Sequence, residues 1–195
     1  MSRWMTGLLL LLGGFAIATE KATWQATEST IQVVCHGKLR CGMVAVGGET
    51  TGTQLSLNAM TWELQIADAQ LKAFAESHHQ KMVTAKGTLQ RMNSPERSGR
   101  WVVTVNSLTA RDPKIKEDGV TITARGTLEK GEKSELKLKT SASYWTITAP
   151  ENPQLSMKLD SLQSKAVVLK GEVDCPKSKT SFKTLKIIPT EVEAD

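Results

Sequence analysis

The chain has 195 residues, a formal net charge of +5 and 39% hydrophobic residues, enough for one larger domain or two small ones. Its charges are interspersed rather than gathered in blocks, which describes a solvated surface and excludes a polyionic tail. Three cysteines are too few for a disulfide scaffold, and past residue 18 no apolar run reaches the ~20 residues of a membrane-spanning helix.

Arg3, an apolar run from Gly7 to Ile17 and the triplet Ala16-Ile17-Ala18 read in that order as a signal peptide over residues 1–18. The mature protein is then periplasmic or extracellular. Thr19 to Thr30 is a polar lead-in apart from Trp24. Ile31 to Cys41 alternates as a first strand, and Gly42 to Gly52 is a glycine-rich loop. Gln54 to Leu57 and Thr61 to Ile66 are two further strands. Asp68 is a suitable N-cap for a helix from Ala69 to Ser77, with Leu71, Phe74 and Ala75 at helical spacing. Lys81 to Leu89 is a fourth strand, and Gln90 to Arg100 reads as a loop on the turn residues Asn93, Ser94, Pro95 and Gly99. Trp101 to Leu108 is the fifth strand.

After a linker at 111–118 the pattern starts again. Strands are expected at Val120 to Leu128, Leu136 to Thr140 and Tyr144 to Thr148. Asn152-Pro153 opens a second helix whose Leu155, Leu159 and Leu162 share a face. Strands at Lys165 to Val173 and Phe182 to Ile188 complete it. The halves superpose as sequences. Gly37 to Gly42 matches Gly126 to Gly131, Lys81, Val83, Gly87 and Leu89 match Lys165, Val167, Gly171 and Val173, and Trp62 lies against Trp145. Two repeats, 28–110 and 119–191, follow. Val83, Leu89, Val103, Ile122, Leu128, Val167 and Ile187 form the expected core.

Three strands, a helix and two strands, with glycine on the inner face of the first and fourth, resembles the oligonucleotide/oligosaccharide-binding (OB) fold, a small Greek-key barrel. The fold expected is mostly β, two tandem five-stranded OB-like barrels each with a short helix between strands 3 and 4. A β-sandwich with short helices is the alternative. The resemblance implies a ligand surface on strands 2 and 3 and on the loops joining strands 1–2 and 4–5. The residues it brings forward are Trp62, Arg91, Arg97, Arg100, Tyr144, Trp145, Lys177 and Lys179. Aromatic rings there would stack on bases or sugars, and the cations would meet an acidic polymer. The competing reading buries the aromatics and leaves the cations as solubilising surface.

No catalytic motif, metal-ligand spacing or cofactor fingerprint is present. Gly47-Gly48-Glu49-Thr50-Thr51-Gly52 lacks the lysine of a phosphate-binding loop, and His36, His78 and His79 do not converge with the cysteines at zinc spacing. The function expected is a non-enzymatic exported module that binds a protein or an acidic extracellular polymer. Export argues against nucleic acid as the partner. The alternative is a hydrolase with a site assembled between the repeats. Cys41 and Cys175 each follow a Gly-x-Leu/Val-x segment at a strand exit, and pair in a disulfide on that reading. N-terminal sequencing of exported protein is expected to begin at Thr19, and an intact Met1 would contradict the leader.

Overall fold

The computed structural model describes residues 31–44, 51–94, 97–131, 135–141, 143–175 and 185–195. The expected leader and lead-in lie outside these residues, as do most of the Gly42 to Gly52 loop, Lys177 and Lys179. The half expected as the first repeat runs β1 (Ile31–Val44), β2 (Thr51–Leu57), β3 (Met60–Gln65), α1 (Ala69–Ser77), β4 (Met82–Ser94) and β5 (Arg97–Ala110). The second runs β6 (Gly119–Lys130), β7 (Leu136–Lys139), β8 (Tyr144–Ile147), α2 (Pro153–Ser161), β9 (Ala166–Val173) and β10 (Lys186–Ala194). This is mostly β structure, OB-fold-like, with two short helices.

The ten strands form one sheet in the order β2-β3-β5-β4-β1-β6-β7-β8-β10-β9, with β1 also paired to β2 and β6 also paired to β9. Pairing therefore returns to its starting strand once in each half. A sandwich of two separate sheets does not describe it. β1 and β6 make the junction, running antiparallel from Ile31 opposite Ala124 to His36 opposite Gly119. Each of these strands serves three neighbours by changing partners along its length. β1 lies against β4 up to Lys38 and against β2 from Lys38 onward. β6 lies against β9 up to Thr127 and against β7 from there.

Glycine sits at both changes of partner. A Cβ on Gly37 would fall against the Ser56 carbonyl, and one on Gly126 against the Lys139 carbonyl. The incoming strand occupies the space a side chain would need. Gly87 and Gly171 meet the carbonyls of Thr104 and Ile188 in the same way. The ladders shift register nearby, between Lys86 and Gly87 and opposite Gly171 between Pro189 and Glu191.

The alternating apolar residues fill the interior. All seven expected core residues are at most 2% exposed. The helices close the ends as their caps dictate. Asp68 Oδ1 accepts from the Leu71 amide at 2.9 Å, and Asn152 Oδ1 accepts from Gln154 at 2.9 Å. Ala75 of α1 and Leu159 of α2 are each 2% exposed against the core. The connection 111–118 is tied by Arg111 Nη1 to Asp118 Oδ1 at 3.0 Å.

Two sequence expectations change. Gln90 to Arg100 is not a loop. β4 continues to Ser94 and β5 begins at Arg97, so the turn residues fall at the tip of a long hairpin. β10 begins at Lys186 and continues past the expected Ile188 to Ala194, while the start of the expected strand at Phe182 lies outside the described residues. Gly87→Val and Gly171→Val are each expected to lose about 1–3 kcal/mol of stability in urea unfolding, because the added methyls meet backbone. A Cβ on Gly119 meets nothing within 4 Å, so Gly119→Ala is the control and should stay near wild type. Unchanged stability of both valine variants would contradict the close strand approach.

Candidate functional site

The long hairpin positions the candidate site. Along β4, Leu89 and Arg91 share the inward parity, and across the ladder Arg91 pairs with Trp101. Beyond the first repeat that face no longer covers its own core. It reaches the second repeat instead, where Arg91 Nη1 donates to Ser143 Oγ at 3.2 Å. The guanidinium lies 5.9 Å from the Trp101 ring centroid, within cation–π range. Trp101 in turn lies 5.1 Å from Trp145, tilted by 46°.

The outer face of β7 and β8 lies on the other side of these strands from Trp145 and Trp101, and meets Arg91 at Ser143, where β8 begins. Leu138 and Trp145 point inward, leaving Lys137, Lys139, Tyr144 and Thr146 outward, with Lys139 opposite Tyr144 and Lys137 opposite Thr146. Lys139 Nζ lies 5.8 Å from the Tyr144 ring centroid and 3.4 Å from the Glu129 carboxylate. Glu129 first, and then Tyr144, hold the Lys139 ammonium pKa above its ordinary value, so it remains a cation. Tyr144 is 50% exposed and Met92, near the hairpin tip, 44%. Half-exposed aromatic surface among cations can stack on flat rings and neutralise a passing anion at the same time.

The sequence-predicted residues divide sharply. Arg91 reaches Ser143, the chain neighbour of exposed Tyr144. Trp62 and Trp145 are 1% and 0% exposed, so they are core and offer no stacking face. Arg100 is engaged by both oxygens of Glu63 at 3.1 Å. Arg97 belongs to β5, but its side chain, with Lys177 and Lys179, lies outside the described residues. Sequence reasoning missed Trp101, Lys137, Lys139 and Ser143. The available signal was Arg91 itself, a cation at inward parity where a continuing core would carry an apolar side chain.

Cys41 and Cys175 are not paired; all three thiols are free. Cys41 lies near the end of β1 beside α1, where Sγ donates to the Ala75 carbonyl at 3.2 Å and the amide donates to His79 Nδ1 at 3.0 Å. It opens onto a cavity of about 740 Å³ lined also by Thr53, Leu64, Ile66, Glu76 and His79. Cys175 follows β9 and lies by the start of β6, where β1 presents Cys35. Six residues of strand separate Cys35 from Cys41, roughly 20 Å, which keeps Cys41 from Cys175. Among the described residues no three His, Cys, Asp or Glu side chains gather to hold a metal ion.

Burial pushes the Cys35 thiol well above its ordinary range, with Cys175 adding to it. Burial first, then Asp174, Asp118 and Glu172, pushes Cys175 from 9.0 up to about 11. A folded pKa above the unfolded one favours the neutral thiol in the native state. That stabilisation is present below pH 9.0 and is lost as pH approaches about 11. Stability is expected to decline over this window, and less in Cys175→Ala. Native alkylation at neutral pH should reach Cys41 first and Cys35 only on unfolding. A Cys41–Cys175 peptide in non-reducing mapping would contradict this arrangement.

No family model and no curated protein matches the chain. Solved structures do. A deletion mutant of the single-stranded DNA binding protein from Thermus aquaticus superposes with a TM-score of 0.52 at 9% identity, covering 86% of this chain and 95% of that one. The wild-type protein gives 0.51 at 9% identity, covering 86% and 94%. At this identity the likeness is one of fold. It nonetheless corrects the reading of a module for a protein or acidic extracellular polymer with nucleic acid set aside, since both neighbours are DNA-binding proteins.

Proposed function

We propose that this protein binds single-stranded nucleic acid and is not an enzyme. The observation that carries the reading is exposed Tyr144 with Lys137 and Lys139 on the outer face of β7 and β8, and Arg91 held at Ser143 where β8 begins. The fold supports it, being similar to that of single-stranded DNA binding proteins. Each closed cycle of pairing is read as one OB-like barrel, so the chain is a tandem of two. Unpaired bases expose flat faces that Tyr144 can stack on, whereas a duplex keeps those faces covered. With the leader over residues 1–18 acting as read, the strand met is one outside the cytoplasm.

Binding should show little sequence preference, because stacking and phosphate contacts read no base edge. Three cations on a single strand give a slope of log K against log salt of roughly −2, or roughly a 16-fold loss between 50 and 200 mM salt. Tyr144→Ala is expected to lose roughly 1–3 kcal/mol of affinity with the slope unchanged. Arg91→Ala should flatten the slope by about 0.7. Fluorescence anisotropy with labelled oligothymidylate and a matched duplex measures all of this. Equal binding of both, or wild-type affinity in Tyr144→Ala, would overturn the reading.

A further inference from the structure

We infer that the two repeats share one strand-binding site, with the β7–β8 face as platform and Arg91 and Trp101 of the first repeat as clamp. The matching β2–β3 face takes no part. This rests on the nucleic-acid reading above and goes beyond it. A tandem of two like units would otherwise be expected to offer two equivalent sites.

The argument lies in how the matched faces differ. Since Trp62 stands where the second repeat has Trp145, Thr61 stands where it has Tyr144, and Glu63 where it has Thr146. The outer face of β2 and β3 therefore carries Gln54, Ser56, Thr61, Glu63 and Gln65, with Ser56 opposite Thr61 and Gln54 opposite Glu63. It has no aromatic side chain. Its charge is the Glu63 carboxylate, which holds Arg100 at 3.1 Å through both oxygens. Gln65 Oε1 accepts from Thr104 Oγ1 at 3.4 Å. Lys38 and Arg40 of β1 stand opposite Ser56 and Gln54, so cations border this face as Lys137 and Lys139 mark the other. A base would find no ring.

The second repeat has the ring and the cations but is completed from outside. Ser143, next to Tyr144, holds Arg91 of the first repeat at 3.2 Å, and Trp101 lies against Trp145. A strand stacked on Tyr144 therefore reaches Arg91 by passing Ser143 at the start of β8, with Trp101 behind the guanidinium. The β1–β6 pairing fixes the two repeats side by side, so clamp and platform are aligned before a ligand arrives.

The test is stoichiometry and coupling in the full chain with oligothymidylate. Native mass spectrometry with a short strand in excess should show one strand per chain. Arg91→Ala and Tyr144→Ala should each weaken binding roughly fivefold or more. The double variant should lose clearly less than the product of the two, because both act on the same run of nucleotides. Thr61→Ala and Gln65→Ala should bind as wild type. Two strands per chain, strictly multiplicative losses, or a loss in Thr61→Ala would overturn the single shared site while leaving nucleic-acid binding intact. A wild-type chain that binds no oligonucleotide would remove the parent reading and this one together.

Discussion

The structure depends on the pairing of β1 with β6. Each is the first strand of its half of the chain, and each already has to close its own cycle by serving two neighbours. A straight strand has two edges, so three partners are possible only if the strand coils and hands one edge from one neighbour to another. Gly37 and Gly126 stand at those handovers, where a carbonyl of the arriving strand takes the place of a side chain. Along the upstream halves of both strands, one edge is left to pair across the repeats. Backbone hydrogen bonds there leave no open strand edge, which otherwise invites pairing with another chain.

This junction turns two similar halves into one asymmetric object. Side-by-side pairing brings the β4–β5 hairpin over the second repeat and gives Arg91 and Trp101 partners that their own repeat does not provide. The cores stay equivalent, with Trp62 and Trp145 both buried. The surfaces diverge because solvent-facing positions are not constrained by packing. Thr61 and Tyr144 sit at matched positions and have opposite value for stacking.

Much of the fold was legible in the sequence. Period-two alternation marked the strands, and Asp68 and Asn152-Pro153 marked the helices. The inner-face glycines marked where strands approach closely. The hairpin was not legible, because Asn93, Ser94, Pro95 and Gly99 are turn residues wherever they occur, and their position at a distant tip depends on cross-strand register. The site was half legible for the same reason. Arg91 and Tyr144 stood out by residue type, but Trp101 and Lys139 stand opposite them only through strand register, and Arg91 reaches Ser143 only through pairing between the halves. The cysteines show the limit most plainly. Cys41 and Cys175 are alike in local sequence and lie at places set apart by six residues of β1, whereas Cys35 is carried close to Cys175 by the β1–β6 ladder.

The central claim is that a strand of nucleic acid lies across the junction, touching both repeats at once. Photocrosslinking of a 5-bromouracil-substituted oligonucleotide to the full chain, followed by peptide mapping, tests it directly. The account predicts adducts on Tyr144 in the second repeat and on Trp101 or its hairpin neighbours in the first, from a single complex and suppressed together by unlabelled strand. Adducts confined to one repeat, or located on the β2–β3 face around Thr61, would contradict it.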